Sequence, residues 1–315
     1  MATAARTGHL ERTAEEPRDR RLHEVRLSRV DQVNERIRQF RLELQSGPAK
    51  FLPGQWLDTY VPGIEKAGGF TITSTPSAAA GEVVGAATPP YLELAVQESP
   101  GNEVAAWLWR APDEIVGALL LVRIGGSFVF PPLAAPSDSG SAAQQQQDLN
   151  NVRSVFFVAG GVGINPLVSM LSALAETSPL HGGGGGDALH VSVLYATKMP
   201  ASGNLSDVLF MERLAKLFGE GRLKGLLRIY ATDGTGARLP PEGTCELHGA
   251  QVKIRHGRIS EEQVRTMVGE RGPEASLVYI CGPPMMTDQL AAALTSGVGG
   301  KPFMEPGRVL TEKWW

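Results

Sequence analysis

Residues 159–166 read Ala-Gly-Gly-Val-Gly-Ile-Asn-Pro and follow the apolar run Ser154–Val158. Gly160, Gly161 and Gly163 lack a Cβ, so the backbone can turn sharply there and approach a bulky anion such as a pyrophosphate. After Ile164, Asn165 is a residue type that caps helices and Pro166 suits a first helical turn, so the spacing predicts a helix from Pro166 with its N-terminus facing the anion. A tight strand-to-helix turn without a ligand would use the same residues. A second stretch, Tyr279-Ile280-Cys281-Gly282-Pro283-Pro284-Met285-Met286, again ends a strand, Leu277–Cys281, and opens a helix at Pro283. Two such junctions at the carboxyl ends of strands in one sheet form a dinucleotide crevice, with Gly282, Pro283, Pro284 and Met285 on its second side. Near the end of the strand His190–Tyr195, an acidic residue would suit the ribose of NAD and a basic one the extra phosphate of NADP. Thr197-Lys198 stands there; Lys198 also reads as an ordinary surface lysine, so the residues leave both NADH and NADPH open.

The elements that must position these loops follow two grammars. From Leu22 to Phe130 the signals are short alternating or β-branched runs, Leu22–Val30, Ile37–Leu44, Trp56–Val61, Phe70–Thr75, Tyr91–Val96 and Leu119–Ile124, with one helix at Glu103–Trp109. That pattern predicts an antiparallel barrel. Residues 131–152, rich in Pro, Ser, Ala and Gln, read as a linker. From 153 to 315 strands alternate with helices, which predicts a parallel α/β sheet. Its members are Ser154–Val158, the helix from Pro166, His190–Tyr195, the helix Leu205–Leu217, Leu226–Ala231, a helix opened by the Ser260-to-Gln263 capping box and running to about Val268, Leu277–Cys281 and the helix from Pro283. Gly182–Gly186 and Thr232–Thr244 read as surface insertions. Residues 1–21 hold five arginines, as a targeting segment would, but four acidic residues among them fit a solvated arm instead.

The length of 315 residues fits two domains, and 42% hydrophobic content supports two cores. A net charge of −3 with 6% aromatics argues against nucleic acid as a partner. No apolar run reaches membrane-spanning length. Cys245 and Cys281 are too few for a disulfide framework or a metal cluster and read as free thiols of an intracellular chain.

With both glycine loops in place, the sequence resembles the ferredoxin-NADP reductase superfamily, and within it the oxidoreductase NAD-binding domain-containing protein group. The resemblance runs from about residue 22 onward and includes Gly54-Gln55-Trp56, Gly69-Phe70 before Ser74-Thr75-Pro76, and Glu312-Lys313-Trp314-Trp315. It implies a flavin-type Greek-key barrel followed by a nicotinamide domain, hydride transfer between nicotinamide and flavin, and an onward electron acceptor that the sequence does not name. It also implies a mitochondrial location, with the cytoplasm as the alternative. Carried over by position, Gly160, Gly161, Gly163 and Pro166 hold the pyrophosphate and Cys281 lies beside the nicotinamide, although taken alone Cys281 is a small buried thiol at a strand end. Glu312 would stand near the flavin and Trp314 or Trp315 over its ring. On the flavin side the family's Arg-x-Tyr-[Ser/Thr] appears as Gly68-Gly69-Phe70-Thr71, and its Gly-x-x-Ser-x-x-Leu as Gly101 to Trp107 with Val104 for the serine. Phe70 and Thr71 keep a ring and a hydroxyl. Losing the arginine removes a charge-assisted bond worth about 1.5–3 kcal/mol, roughly one to two powers of ten in diphosphate affinity. FAD is therefore expected with weakened anchors, with FMN or no flavin as alternatives, and the rival reading is a flavin-free nucleotide-binding regulatory or assembly protein on the same fold.

Overall fold

A computed structural model describes residues 8–82, 88–133, 151–177, 189–233, 236, 238–298 and 301–313. The chain divides into two compact units, Met1–Pro131 and Pro132–Trp315. The glutamine-rich part of the expected linker, the Gly182–Gly186 run, part of the loop after Thr232, and Trp314 and Trp315 lie outside the described residues.

The first unit begins with a short helix, α1 (His9–Arg12), and contains six antiparallel strands: β1 (His23–Asn34), β2 (Ile37–Leu44), β3 (Trp56–Tyr60), β4 (Gly68–Thr71), β5 (Tyr91–Gln97) and β6 (Leu119–Gly125). Their order is β4-β3-β6-β1-β2-β5. A bridge from Ile72 to Leu94, with the Thr73 N–H donating to the Glu93 carbonyl at 2.8 Å, joins the two edges into a barrel. Inward residues at every second position, among them Val25, Leu27, Phe40, Leu42, Leu57, Leu92 and Leu94, fill it. The strand expected to reach Thr75 stops at Thr71, because Pro76 opens the helix α2 (Pro76–Ala80) with Thr75 extended before it. Two further helices, α3 (Glu103–Leu108) and α4 (Pro112–Ile115), lie between β5 and β6.

The solvated arm expected before residue 22 is corrected by the structure from Gly8 onward. The Asp19 N–H donates to the Ile124 carbonyl at 2.8 Å and the Gly126 N–H to the Pro17 carbonyl at 2.9 Å, which stitches the segment to β6. The physical reason is Asp58, fully buried on β3. An unpaired carboxylate there would be costly, and the segment supplies its partners: His9 Nε2 at 2.9 Å and Arg18 Nε at 3.1 Å, with Arg123 Nη2 of β6 at 2.7 Å. His9 meets Trp56 edge-on at 4.8 Å, and Arg18 lies over the same ring at 4.9 Å. Burial pushes the Asp58 carboxyl up, but hydrogen bonds from His9 and Arg123 and the charge of Arg18 outweigh it and hold the group below its ordinary value.

The second unit is built on β7 (Ser154–Gly160), β8 (His190–Lys198), β9 (Lys224–Thr232), β10 (Gly243–Leu247), β11 (Ala250–His256), β12 (Ser276–Gly282) and, after a small hairpin of β13 (Gly297–Val298) and β14 (Lys301–Pro302), β15 (Val309–Lys313). The order is β10-β11-β9-β8-β7-β12-β15, parallel throughout except for β10. Every residue of β7 and β12 is buried, as expected of central parallel strands covered on both faces. The helices are α5 (Ile164–Thr177), α6 (Met211–Gly219), α7 (Glu261–Gly269) and α8 (Pro284–Thr295). The predicted capping box is present: Ser260 Oγ accepts from the Gln263 N–H at 3.2 Å and Gln263 Oε1 from the Ser260 N–H at 3.3 Å. The helix expected over Leu205–Leu217 is instead a 3-10 turn at Leu205–Asp207 followed by α6, because Phe210 adopts φ +59 and breaks the run. Among the described residues no helix is long and apolar enough to cross a membrane.

Candidate functional site

From β7 the chain steps outward to β8, β9 and β11, then returns to β12 on the other side of β7. Sheet order reverses there, and ligands of open α/β sheets bind outside the carboxyl ends of the strands at such a reversal. Both glycine loops leave the sheet at that place. A Cβ built on Gly160 would lie 2.8 Å from Pro283 Cδ and 2.9 Å from Met286 Sδ. One on Gly282 would lie 2.5 Å from Met286 Cε and 3.1 Å from the Gly160 Cα. The two loops are therefore in contact, with the Met286 side chain against both glycines. Met286 lies within the second motif, and only its contact with both glycines singles it out.

The three glycines of the first loop have different physical reasons. Gly161 has φ +55, and a Cβ there would meet nothing within 4 Å: the position needs glycine for its conformation and faces open space. At Gly163 a Cβ would lie 2.2 Å from the Cys281 carbonyl oxygen, so glycine lets α5 approach β12 backbone to backbone. Gly161–Gly163 form a 3-10 turn that runs directly into α5. Asn165 is therefore no cap, a correction to the sequence reading: it lies inside the first helical turn and is buried. Pro166, the third residue of α5, keeps its expected place in that turn, where its missing N–H costs little. Ile164 is fully buried and serves the core rather than the loop surface.

On the second loop Pro283 precedes α8 and Pro284 opens it, so the helix starts one residue later than expected. Pro283 and Met285 are exposed, and Met285 at 69% presents a large apolar side chain at the loop rim. Cys281 is fully buried at the end of β12. Its register neighbour on β15 is Glu312, half-buried, so the two candidate catalytic residues end adjacent strands side by side. The next residue, Lys313, pairs with Asp288 of α8 at 2.7 Å and ties β15 to that helix. Lys198 is exposed at the end of β8, opposite Thr232. Among the described residues no three His, Cys, Asp or Glu side chains gather as a metal site.

In the barrel, the flavin-motif positions are covered by the chain's own side chains. Phe70 is 7% exposed and belongs to the core, and Thr71 is 1% exposed with an Oγ1 that has no hydrogen-bond partner. A Cβ on Gly68 would lie 2.7 Å from Phe70 Cε2 and 2.8 Å from Val104 Cβ; one on Gly69 would lie 2.2 Å from the His9 ring. At the start of α3, Asn102 Oδ1 accepts from the N–H groups of Val104 and Ala105, both at 3.1 Å. Lys66 Nζ is 3.7 Å from Glu103 Oε1.

An antiparallel barrel followed by a mostly parallel sheet with two glycine loops at its reversal is the two-domain fold of the ferredoxin-reductase type. The fold matches the ferredoxin reductase of carbazole 1,9a-dioxygenase with a TM-score of 0.60 at 18% identity, over 94% of this chain and 70% of that one. It also matches a ferredoxin-NADP+ reductase from Neisseria gonorrhoeae, solved with bound FAD and NADP, with a TM-score of 0.60 at 15% identity, over 94% of this chain and 99% of that one. Residues 157–291 match the oxidoreductase NAD-binding domain. The whole chain is 31% identical to all of the oxidoreductase NAD-binding domain-containing protein 1 of Danio rerio, and it belongs to that family.

Proposed function

We propose that this protein is a NAD(P)H-dependent oxidoreductase in which a nicotinamide dinucleotide binds at Gly160–Pro166 and Gly282–Met285 and a flavin receives its hydride, with electrons then leaving to a separate acceptor. The observation that carries the nicotinamide half is the contact of the two glycine loops at the sheet reversal, with Gly161 left-handed and open. The exposed edge of that turn and the N-terminus of α5 suit a pyrophosphate. Bound nicotinamide and flavin would supply the redox chemistry, a hydride leaving the first as the second is reduced with uptake of a proton.

The chain's own residues do the rest. Gly161 and Val162 would receive the pyrophosphate, Pro283 and Met285 would cover the dinucleotide, and the buried Cys281 would fix the position of the strand end. Its neighbour Glu312 holds or yields the proton. Catalysis is mainly positioning: bringing reacting atoms to about 3–3.5 Å removes several kcal/mol of barrier without covalent chemistry. For the flavin, the positions carried over from the family are Phe70 and Thr71; both are buried, so neither offers the ring an exposed surface, and the flavin half of the reading is supported by the fold alone. The test is to mix the protein with flavin and NADH or NADPH under anaerobic conditions. Bleaching of the flavin absorption band is expected, and an unchanged band with both nucleotides overturns the reading.

A further inference from the structure

We infer that Met286 is a positioning residue of the dinucleotide crevice: its side chain is a wedge that sets the second loop against the first, felt only by a ligand that touches both. This deepens the function proposed above and rests on it. β7 and β12 run side by side up to the pair Ala159 and Cys281, so Gly160 and Gly282 are neighbours at the two strand ends. A Cβ on Gly282 would lie 3.1 Å from both the Cα and the N of Gly160. Met286 is the third residue of α8, four positions after Gly282. Helical side chains lean toward the helix N-terminus, which carries its thioether back over Gly282. The side chain is half-buried and packs against the apolar cluster of Phe156, Val158, Val278 and Ile280.

Its end atoms fill the space of two missing side chains. Sδ and Cε are 2.9 and 3.0 Å from the place of a Cβ on Gly160, and Cε is 2.5 Å from the place of one on Gly282. Pro283 Cδ also approaches Gly160, at 2.8 Å from the same point, but only Met286 reaches both glycines. The Thr287 hydroxyl, 3.3 and 3.2 Å from the Gly282 and Pro283 carbonyls, ties the second loop to its own helix and not to the first loop. With the thioether seated, the second loop is already in register with the turn at Gly161. Without it, the ligand must order that loop on binding, which lowers affinity. A ligand confined to the turn at Gly161 escapes that cost. An unbranched side chain suits the task, since leucine ends at δ and has no atom to set against Gly282.

The test is calorimetry of the full chain and of Met286→Ala with NADH, NADPH and ADP-ribose, which carries the pyrophosphate without the nicotinamide. The variant is expected to bind whichever dinucleotide the parent binds about tenfold more weakly, and ADP-ribose within about twofold of the parent. A loss for ADP-ribose as large as that for the dinucleotide, or no loss for the dinucleotide, overturns the inference and leaves the proposed function standing. A parent that binds neither NADH nor NADPH overturns both. A second measurement uses Gly282→Ala, whose methyl would lie 2.5 Å from Met286 Cε and unseat the wedge. Alone it is expected to weaken the dinucleotide as Met286→Ala does. In the double variant the new methyl fills part of the space the thioether left, and affinity is expected to return to within about threefold of the parent. Losses that multiply in the double variant overturn the inference. Where Met286→Ala melts below the temperature of the assay, Met286→Leu takes its place. The same split between dinucleotide and ADP-ribose is then expected at about fivefold, and its absence overturns the inference.

Discussion

In the parallel sheet the glycines of the motif are kept by backbone geometry, whereas in the barrel the glycines of the corresponding flavin motif are closed over by side chains. Gly161 and Gly163 need glycine for a left-handed turn and a backbone approach, so any substitution there is felt at once. Gly68 and Gly69 have ordinary backbone angles and are shut in by Val104, Phe70 and His9. One residue type thus serves backbone geometry in one unit and is packed over by side chains in the other. Only the neighbours distinguish them.

The largest effect expected from breaking this contrast lies in the barrel. Asp58→Ala removes the carboxylate that draws His9 and Arg18 onto β3 beside Arg123, leaving cations close together with no counter-charge. Breaking a buried pair in this way costs about 3–5 kcal/mol. Thermal melts should show the loss, and limited proteolysis should cut residues 8–21 in the variant but not in the parent. The same group sets a pH dependence. Because the Asp58 carboxyl is held below its ordinary value in the folded state, its stabilisation is complete above that ordinary value and is lost as pH falls through the folded one. Acid melts of parent and variant should converge at the low end.

Next in size is Gly163→Val. Its Cβ would enter the Cys281 carbonyl, and overpacking against backbone costs about 3 kcal/mol because neither β12 nor α5 can yield without disturbing the sheet. Calorimetry should show the second unit melting early and nucleotide binding lost with it. Gly161→Val should separate the two effects. With φ +55 and empty space around it, the substitution costs about 1–2 kcal/mol of backbone strain while the sheet stays intact. Nucleotide affinity should nonetheless fall tenfold or more, since the turn must open to relieve the strain. Equal stability losses in the two variants would erase the distinction between a locked glycine and an open one.

Local rules carried the sequence reading far in the second unit. Strand and helix alternation, the capping box and both loops depend on residues close together in the chain, so the turns at Gly160–Pro166 and Gly282–Met285 are legible in the sequence. What depended on distant partners was not. The hairpin of β10 and β11 went unread although Val252 and Ile254 alternate with exposed residues, because the preceding loop looked like an insertion. β15 has a single neighbour among the described strands, and its apolar residues stop after Val309 and Leu310, leaving no strand pattern to read, yet it sets Glu312 beside Cys281. Asp58 gave no sign that it would gather His9 and Arg18, and nothing around Gly68 indicated that Val104 would fill its side. Glycine type is visible in a sequence, but the atoms that face it belong to the fold.

Cys281→Ala should have the smallest effect, and it tests whether the strand end beside the second loop acts beyond the nucleotide binding proposed above. The side chain is fully buried at the end of β12, with Ala159 of β7 on one side and Glu312 of β15 on the other. Removing one sulfur from so small a site costs about 1 kcal/mol of stability at most, since little volume is lost. Nucleotide affinity should stay within about twofold of the parent, because the half-buried Gly161 and the exposed Pro283 and Met285 are untouched. The rate of flavin reduction in stopped flow should still fall severalfold, because a strand end that settles differently moves the nicotinamide, and displacements well under an ångström change hydride-transfer rates strongly. Cys281→Ser, close to cysteine in size, should recover most of that rate. If affinity and rate fall together in the alanine variant, Cys281 only supports the binding loop; if neither changes, the strand end plays no part in positioning the ring.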